Sequence, residues 1–369
     1  MAKFDIPGVY DKVPNQYFLD AWDQMAGKNP QDLINYTKNN NEIFIFTNDP
    51  EYLTNSHLGD ASPARYINRV EVSGKNKMML YLTHHLERLS GNYTLGIRVY
   101  NPSASDSITF IKKHEGYSNS DSWNNPGYAW EDFFTNKGGT TSVNPRESKW
   151  LVTKSITATG NSNGSFLDYF GEFEIPNSSS FVIAIYVCKN IANIPDETFV
   201  IPWSGVTHSG YSNCYTLTAN KTIDINGAFN DPGHSYFYGI SNPEEGLGSQ
   251  SENIPITLAQ GQTVNTGLGY YGLPHIMKFN FKNTGTRQLK VKAYLISNSS
   301  SHFAGISSLN GCSKFLANHE NSDNVPSRWN FYESPVITNS SGTVTIDFTY
   351  CHLGLGNRGA ILQFEAVEV

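Results

Sequence analysis

Charge is scarce in this sequence. Asp, Glu, Lys and Arg make up only 16% of its 369 residues, against roughly a quarter in an average soluble domain. What charge exists leans acidic, to a formal net −7. Nucleic acid binding draws its affinity from Lys and Arg set against phosphates. A chain without a basic run is therefore not expected to bind DNA or RNA, and anionic membrane surfaces are disfavoured for the same reason. Long apolar runs are missing too. The longest, Phe181-Val-Ile-Ala-Ile-Tyr-Val187, falls far short of the ~20 residues a membrane-spanning helix needs, so no transmembrane segment is expected. The opening Met1-Ala-Lys-Phe-Asp-Ile-Pro-Gly8 has no apolar stretch of the secretory kind. That fits either a leader already removed or release from a cytoplasm by another route.

Cysteine is equally sparse: Cys188, Cys214, Cys312 and Cys351. No two are spaced as in a zinc ribbon or a thioredoxin motif. Cys188 lies in an apolar stretch and reads as a small buried hydrophobe. Cys214, Cys312 and Cys351 are left as disulfide candidates, and the sequence does not choose among their pairings.

Catalytic signatures fail on context. Gly160-Asn-Ser-Asn-Gly164 has the spacing of a nucleophile elbow, but that motif needs a strand before it and a helix after it. A β-turn explains it better. Gly267-Leu-Gly-Tyr-Tyr-Gly272 has the spacing of a dinucleotide fingerprint. It has no apolar strand ahead, and Pro274 leads into a strand rather than a helix, so no helix N-terminus faces a pyrophosphate. His84 and His85 are adjacent on a strand and point to opposite faces, where each reads as a half-exposed residue. The remaining histidines are scattered without ligand spacing. The best acidic candidates are Asp121, Glu131 and Asp132, beside Trp123 and Trp130, and loop solvation accounts for them. No enzyme activity, cofactor or metal is expected.

Strand patterns are what the sequence has in plenty. Leu95, Ile97 and Val99 alternate with Gly96, Arg98 and Tyr100; Leu289, Val291, Ala293 and Leu295 alternate with Lys290, Lys292 and Tyr294; Val344, Ile346, Phe348 and Tyr350 alternate with Thr345, Asp347 and Thr349. A period of two puts one set on a core and the other in water. Aromatics reach 13%, and Asn, Ser, Thr and Gly supply the polarity that strands and turns favour. The pattern predicts an all-β protein of two tandem β-sandwich domains, Ig-like or jelly-roll-like, at 41–203 and 204–369. A short helical arm at 1–40 precedes them. Within the arm Tyr17, Phe18, Ala21, Trp22 and Met25 fall at helical spacing. The stretch Tyr117 to Trp130 reads as a long loop and Trp130-Glu-Asp-Phe-Phe134 as a single helical turn. Residues 95–111 and 276–295 share one device: strand, a turn opened by Asn101 or Asn283, strand. Both read as hairpins, which favours two similar sandwiches.

Phe44-Ile-Phe-Thr-Asn-Asp-Pro-Glu-Tyr-Leu53, Gly96-Ile-Arg-Val-Tyr-Asn-Pro102 and Trp130-Glu-Asp-Phe-Phe134 resemble phrases in an uncharacterised group of surface-associated β modules of spore-forming Gram-positive bacteria. That group is often found beside stalk modules of the copper amine oxidase N-terminal type. The resemblance covers scattered parts of 42–134, and it implies a cell- or spore-surface setting without a defined activity.

Two functions compete on these grounds. The first is a non-catalytic structural subunit that self-assembles into a layer, appendage or fibre. Its arm would bury Phe18, Trp22 and Met25 on a neighbouring copy, making the chain a homo-oligomer or polymer. The second is a carbohydrate-binding or adhesive module. Sugars stack their C–H faces on rings, and two ring sets offer themselves: Trp123, Tyr128 and Trp130, and Tyr270, Tyr271 and Trp329. A third reading, a pore-forming toxin, would need an amphipathic hairpin able to insert, with residues 153–187 as its segment.

Overall fold

Branched and ring side chains fill the segments that become strands, because they pack well on a pleated, half-buried surface. The computed structural model describes residues 10–12, 37–48, 50–122, 125–135, 138–161, 164–177, 179–194, 201–202, 210–213, 216–225, 235–241, 256–258, 263–264, 272–297, 304–307, 310, 316–317, 327–338, 342–353 and 360–369. These form two units, and the fold is all-β apart from one α-helix and short 3-10 turns among the described residues.

The first unit comprises Asn39–Tyr215 and Ile254–Asn265. One of its sheets has four strands, ordered Ser148–Thr159, Ser90–Tyr100, Phe181–Cys188, Asn68–Val72. The other has eight, ordered Thr263–Val264, Ile256–Leu258, Gly210–Ser212, Glu42–Thr47, Lys77–Leu86, Ser165–Glu174, Ile108–Ser120, Thr140–Val143. From Asn68 to Cys188 the chain swaps sheets at almost every strand; only Ile108–Ser120 and Thr140–Val143 follow one another in the same sheet. That winding is a jelly roll. Leu80, Leu82, Leu95, Ile97, Leu167 and Ile183 meet between the sheets in one apolar cluster.

The second unit comprises Met1–Lys38, Thr216–Asn253 and Thr266–Val369. Its five-stranded sheet runs Tyr10–Lys12, Ser327–Glu333, Leu289–Ser297, Ala360–Glu368, Ser235–Ser241. Its six-stranded sheet runs Thr37–Lys38, Leu217–Asp224, Pro274–Lys282, Thr343–His352, Ala304–Ser307, Leu316–Ala317. Met277, Phe279, Val291, Leu295, Phe348 and Phe364 lie in its core.

The two units repeat one plan. In the first, Thr140–Val143, Ile108–Ser120, Ser165–Glu174 and Lys77–Leu86 pair antiparallel in that order. In the second, Ser327–Glu333, Leu289–Ser297, Ala360–Glu368 and Ser235–Ser241 do the same. On the opposite sheets Ser90–Tyr100 pairs with Ser148–Thr159, and Pro274–Lys282 with Thr343–His352. Outer strands differ between the units, and one inner strand differs within the shared part. In the first unit Phe181–Cys188 lies between Asn68–Val72 and Ser90–Tyr100, antiparallel to both. In the second, Leu217–Asp224 pairs directly with Pro274–Lys282, and the pairing is parallel. Two antiparallel steps in succession make the outer strands parallel, so direct contact without a middle strand has the same relative direction.

The shared Asn device is present, but it joins sheets rather than closing hairpins. Ser90–Tyr100 and Ile108–Ser120 lie in opposite sheets, as do Pro274–Lys282 and Leu289–Ser297. Asn101 is buried; its Nδ2 donates to the carbonyls of Asp106 (2.7 Å) and Val143 (3.1 Å), and its Oδ1 accepts from Ser103 N (3.0 Å). Asn283 is buried as well; its Nδ2 donates to the carbonyls of Arg287 (2.8 Å) and Ile337 (3.1 Å), and its Oδ1 accepts from Gly285 N (3.0 Å). A chain leaving one sheet for another abandons its ladder partners. A buried amide satisfies the carbonyls so stranded.

Two sequence expectations are corrected, and the expected helices of the arm lie outside the described residues. Residues 210–212 and 254–265 belong with the first unit, so its limit lies at 215 rather than 203 and it is not continuous in sequence. Gly210–Ser212 pairs with Glu42–Thr47, and Ile256–Leu258 extends the same sheet; pairing across such distances leaves no local signal. The described ends of the arm are strands of the second unit, Tyr10–Lys12 beside Ser327–Trp329 of its five-stranded sheet and Thr37–Lys38 beside Leu217–Thr218 of its six-stranded sheet. Finally, Tyr117–Ser120 finishes a strand, and an 11-residue helix spans Asn125–Thr135.

Candidate functional site

The central strands of the eight-stranded sheet are buried on both faces. Lys77–Leu86 is covered from its second residue onward, and Ser165–Glu174 along most of its length. One face lines the sandwich. The other carries Phe46, Tyr81 and Phe170 in a row, with ring centroids 5.6 Å and 4.2 Å apart. The Asn125–Thr135 helix lies against the Ile108–Ser120 and Ser165–Glu174 side of this outer face. Trp130 stacks on Phe133 at 5.6 Å and meets Phe170 nearly edge-on at 5.3 Å. Gly116 lets the helix approach, since a Cβ there would run into the Ala129 carbonyl and the Phe133 backbone.

A carboxyl sits within this apolar layer. Asp168 is fully buried. Asn125, at the start of the helix, donates from Nδ2 to Asp168 Oδ2 at 2.6 Å and to the Ser118 carbonyl at 3.0 Å. Asn125 Oδ1 accepts from Ser118 Oγ (2.6 Å) and Ser120 Oγ (2.8 Å). Burial pushes the Asp168 carboxyl up to about 7; hydrogen bonding by Asn125, Thr83 and Tyr81 pulls the other way and only partly offsets it. This arrangement buries an acid of raised proton affinity and ties it to a helix.

A second charged group closes an opening between sheets. Glu115 takes Lys112 Nζ at 2.9 Å, Lys154 Nζ at 2.8 Å and the Tyr169 hydroxyl at 3.2 Å. Burial alone would raise its carboxyl, but the two ammonium groups outweigh burial and hold it below the usual value. Elsewhere a cleft of about 660 Å³ opens beside the Asn101 turn, lined by Pro102, Ser103, Asp106, Ile108, Asn177 and Ser180. Among the described residues its lining holds no aromatic ring on which a sugar would stack. Among the described residues, no group of three or more His, Cys, Asp or Glu is placed to hold a metal, and no helix is long and apolar enough to cross a membrane.

The ring sets of the sequence reading are largely dispersed. Trp130 is wholly buried beneath the helix, and Trp329 is buried in the core of the second unit. Neither ring has a free face, because each fills core space that a smaller side chain would leave empty. Tyr128, on the same helix as Trp130, is 39% exposed. Trp123, Tyr270 and Tyr271 lie outside the described residues, as do Phe18, Trp22 and Met25 of the arm, and Cys214 and Cys312. Cys351 is a buried thiol that burial pushes well above its usual value. Cys188 is the buried hydrophobe expected, its thiol pushed up to about 12 chiefly by burial.

His84 and His85 do point to opposite faces, yet both are buried rather than half-exposed. His84 Nδ1 lies 2.8 Å from the Pro50 carbonyl, and the His85 ring packs between Tyr52 and Phe166. Asp121 accepts from Ser165 Oγ at 2.7 Å, and Asp132 from Tyr117 N at 3.0 Å, so both carboxylates serve local structure. Gly160 and Gly164 both have positive φ at the ends of the turn that replaces the nucleophile elbow. Ser148–Thr159 and Ser165–Glu174, on either side of that turn, lie in opposite sheets, so 153–187 holds no hairpin of adjacent strands. The residue that sequence reasoning missed is Asp168. Its one signal was a lone acid in the apolar run Phe166-Leu-Asp-Tyr-Phe170.

No protein-family model matches the chain, and no curated protein matches its sequence. Among solved structures it is similar to the pre-peptidase C-terminal domain of a collagenase from Bacillus anthracis, at 10% identity over 32% of this chain and 88% of that one, with a TM-score of 0.17. It is similar to TmCBM61 in complex with β-1,4-galactotriose at 11% identity, over 42% and 87%, with a TM-score of 0.18. A third likeness, to a structure titled "CBM4 structure and function", has 13% identity over 41% and 89%, with a TM-score of 0.17. At such scores these likenesses carry no argument about function, and the sandwich architecture rests on the strand order described above.

Proposed function

We propose that this chain is a non-catalytic structural subunit that assembles with further copies of itself on a cell or spore surface, with the N-terminal arm as its docking element. One observation supports this reading above others: the described ends of the arm act as short strands, Tyr10–Lys12 pairing with Ser327–Trp329 and Thr37–Lys38 with Leu217–Thr218. Strand addition works equally well within a chain and between chains, because the ladder uses backbone groups alone. The glycan reading has lost ground, since Trp130 and Trp329 are core residues.

Light scattering and electron microscopy of the full chain test the proposal. Defined oligomers or polymers that vanish when residues 1–36 are removed, with both units still folded, are the expected result. A monodisperse monomer at every concentration would overturn the assembly role. Undiminished assembly of the shortened chain would remove the arm from the mechanism.

A further inference from the structure

We propose that Asp168 is a proton-operated latch for the Asn125–Thr135 helix: protonated, it lets the helix lie on the sheet, and ionised, it favours lifting the helix away. This inference goes beyond the assembly reading and does not depend on it.

The partners of the carboxyl suit an acid better than an anion. A buried carboxylate needs several donors to replace water. Asp168 Oδ2 has the Asn125 amide, while Oδ1 has no partner in hydrogen-bond geometry; the Tyr81 and Thr83 hydroxyls add weaker support. Among the described residues no cation is a resolved charge partner of the carboxyl. On the Lys77–Leu86 strand the facing groups are Tyr81, Thr83 and, one row away, His85, whose Nε2 is 3.9 Å from Glu51. On the Ile108–Ser120 strand the partner is Ser118, and His114 lies two rows away, 3.9 Å from Glu172 of Asp168's own strand. The helix brings Asn125 and two further acids, Glu131 and Asp132. Burial therefore governs the proton, raising the carboxyl to about 7 from an ordinary 3.8.

The helix is the part able to yield. Ser165–Glu174 is paired along both edges, whereas the helix is held by packing, by the close approach of Gly116, and by two side-chain ties, Asn125 to Asp168 and Asp132 to Tyr117 N. Its first turn contains Pro126 and Gly127, and Gly in particular adds little intrinsic helix stability. Lifting it admits water to the carboxylate, whose proton affinity then returns toward the ordinary value. The sign follows from linkage. The closed state holds a proton that the open state releases, so closure is strongest below pH 3.8 and weakens as pH rises toward 7. The opening constant climbs by roughly tenfold per pH unit within that window and is level above it.

Hydrogen exchange of the 125–135 amides in the full chain, from pH 5 to pH 8 and corrected for intrinsic rates, reads this constant. The expected wild-type profile climbs to about pH 7 and then levels. Asp168→Asn keeps the tie to Asn125 without the charge, and its profile should be flat and low. Asn125→Ala should raise opening at every pH while keeping the slope. A flat wild-type profile, or a slope that survives in Asp168→Asn, overturns the latch. If Asp168→Asn does not fold, carboxyl NMR titration of the unaltered chain decides: a buried carboxyl titrating near 7 supports the latch, and titration of every Asp near 3.8 overturns it.

Discussion

Glu115 and Asp168 lie on neighbouring strands and resolve the same problem in opposite ways. Both are acids drawn out of water. Glu115 has two ammonium partners within 3 Å, which hold its carboxyl below the usual value; Asp168 has an amide, and burial pushes its carboxyl up to about 7. Stability tied to Glu115 is therefore present above the unfolded carboxyl value and lost as pH falls through the lower folded value. Glu115→Gln should flatten the acid limb of the stability profile, leaving the neutral-pH melt of the first unit lower than wild type. Urea melts at stepped pH check this. Neither role was legible in the sequence. Lys112 and Glu115 stand close in the chain, but Lys154 arrives from another sheet, and only that meeting fixes the charge. Asp168 was visible as an acid among rings, without a clue to what surrounds it.

The Asn125–Thr135 helix shows how an element is made by its surroundings. Trp130-Glu-Asp-Phe-Phe134 was readable as one turn of helix, yet the first turn, with Pro126 and Gly127, gave little reason to extend it. Pro suits the opening turn, where its missing N–H has no helical partner to lose. Docking does the rest: Ala129, Trp130 and Phe133 are buried against the sheet, and each large side chain so buried contributes about 1.5–3 kcal/mol. Trp130→Ala should cost about 3–5 kcal/mol in the unfolding of the first unit. Gly116→Ala, which drives a methyl group into the helix backbone, should cost about 1–3 kcal/mol and lower protection of the helix amides more than of the strands. Calorimetry with hydrogen exchange separates the two effects.

At the scale of the whole molecule the chain is one jelly-roll plan used twice. The chain passes between the units at 38/39, 215/216, 253/254 and 265/266. The equivalence of Asn101 and Asn283 gives a direct test of the repeat. Each amide is buried and donates to two carbonyls, and its loss removes both bonds, at about 0.5–1.5 kcal/mol apiece. Asn101→Ala should lower one unfolding transition and Asn283→Ala the other, by similar amounts, in denaturant melts followed by probes specific to each unit. A single transition moved equally by both would mean the units unfold as one.

The sequence by itself determined that strands dominate, which positions along the alternating segments face a core, and that Asn101 and Asn283 begin equivalent turns. Those features depend on alternation and turn chemistry within a few residues. Tertiary structure alone decided that the turns cross between sheets, that Trp130 and Trp329 are core rings, that 254–265 belongs to the first unit, and that the Asp168 carboxyl is buried. Each of these depends on neighbours distant in the chain, and exclusion from water by such neighbours leaves no mark on local sequence.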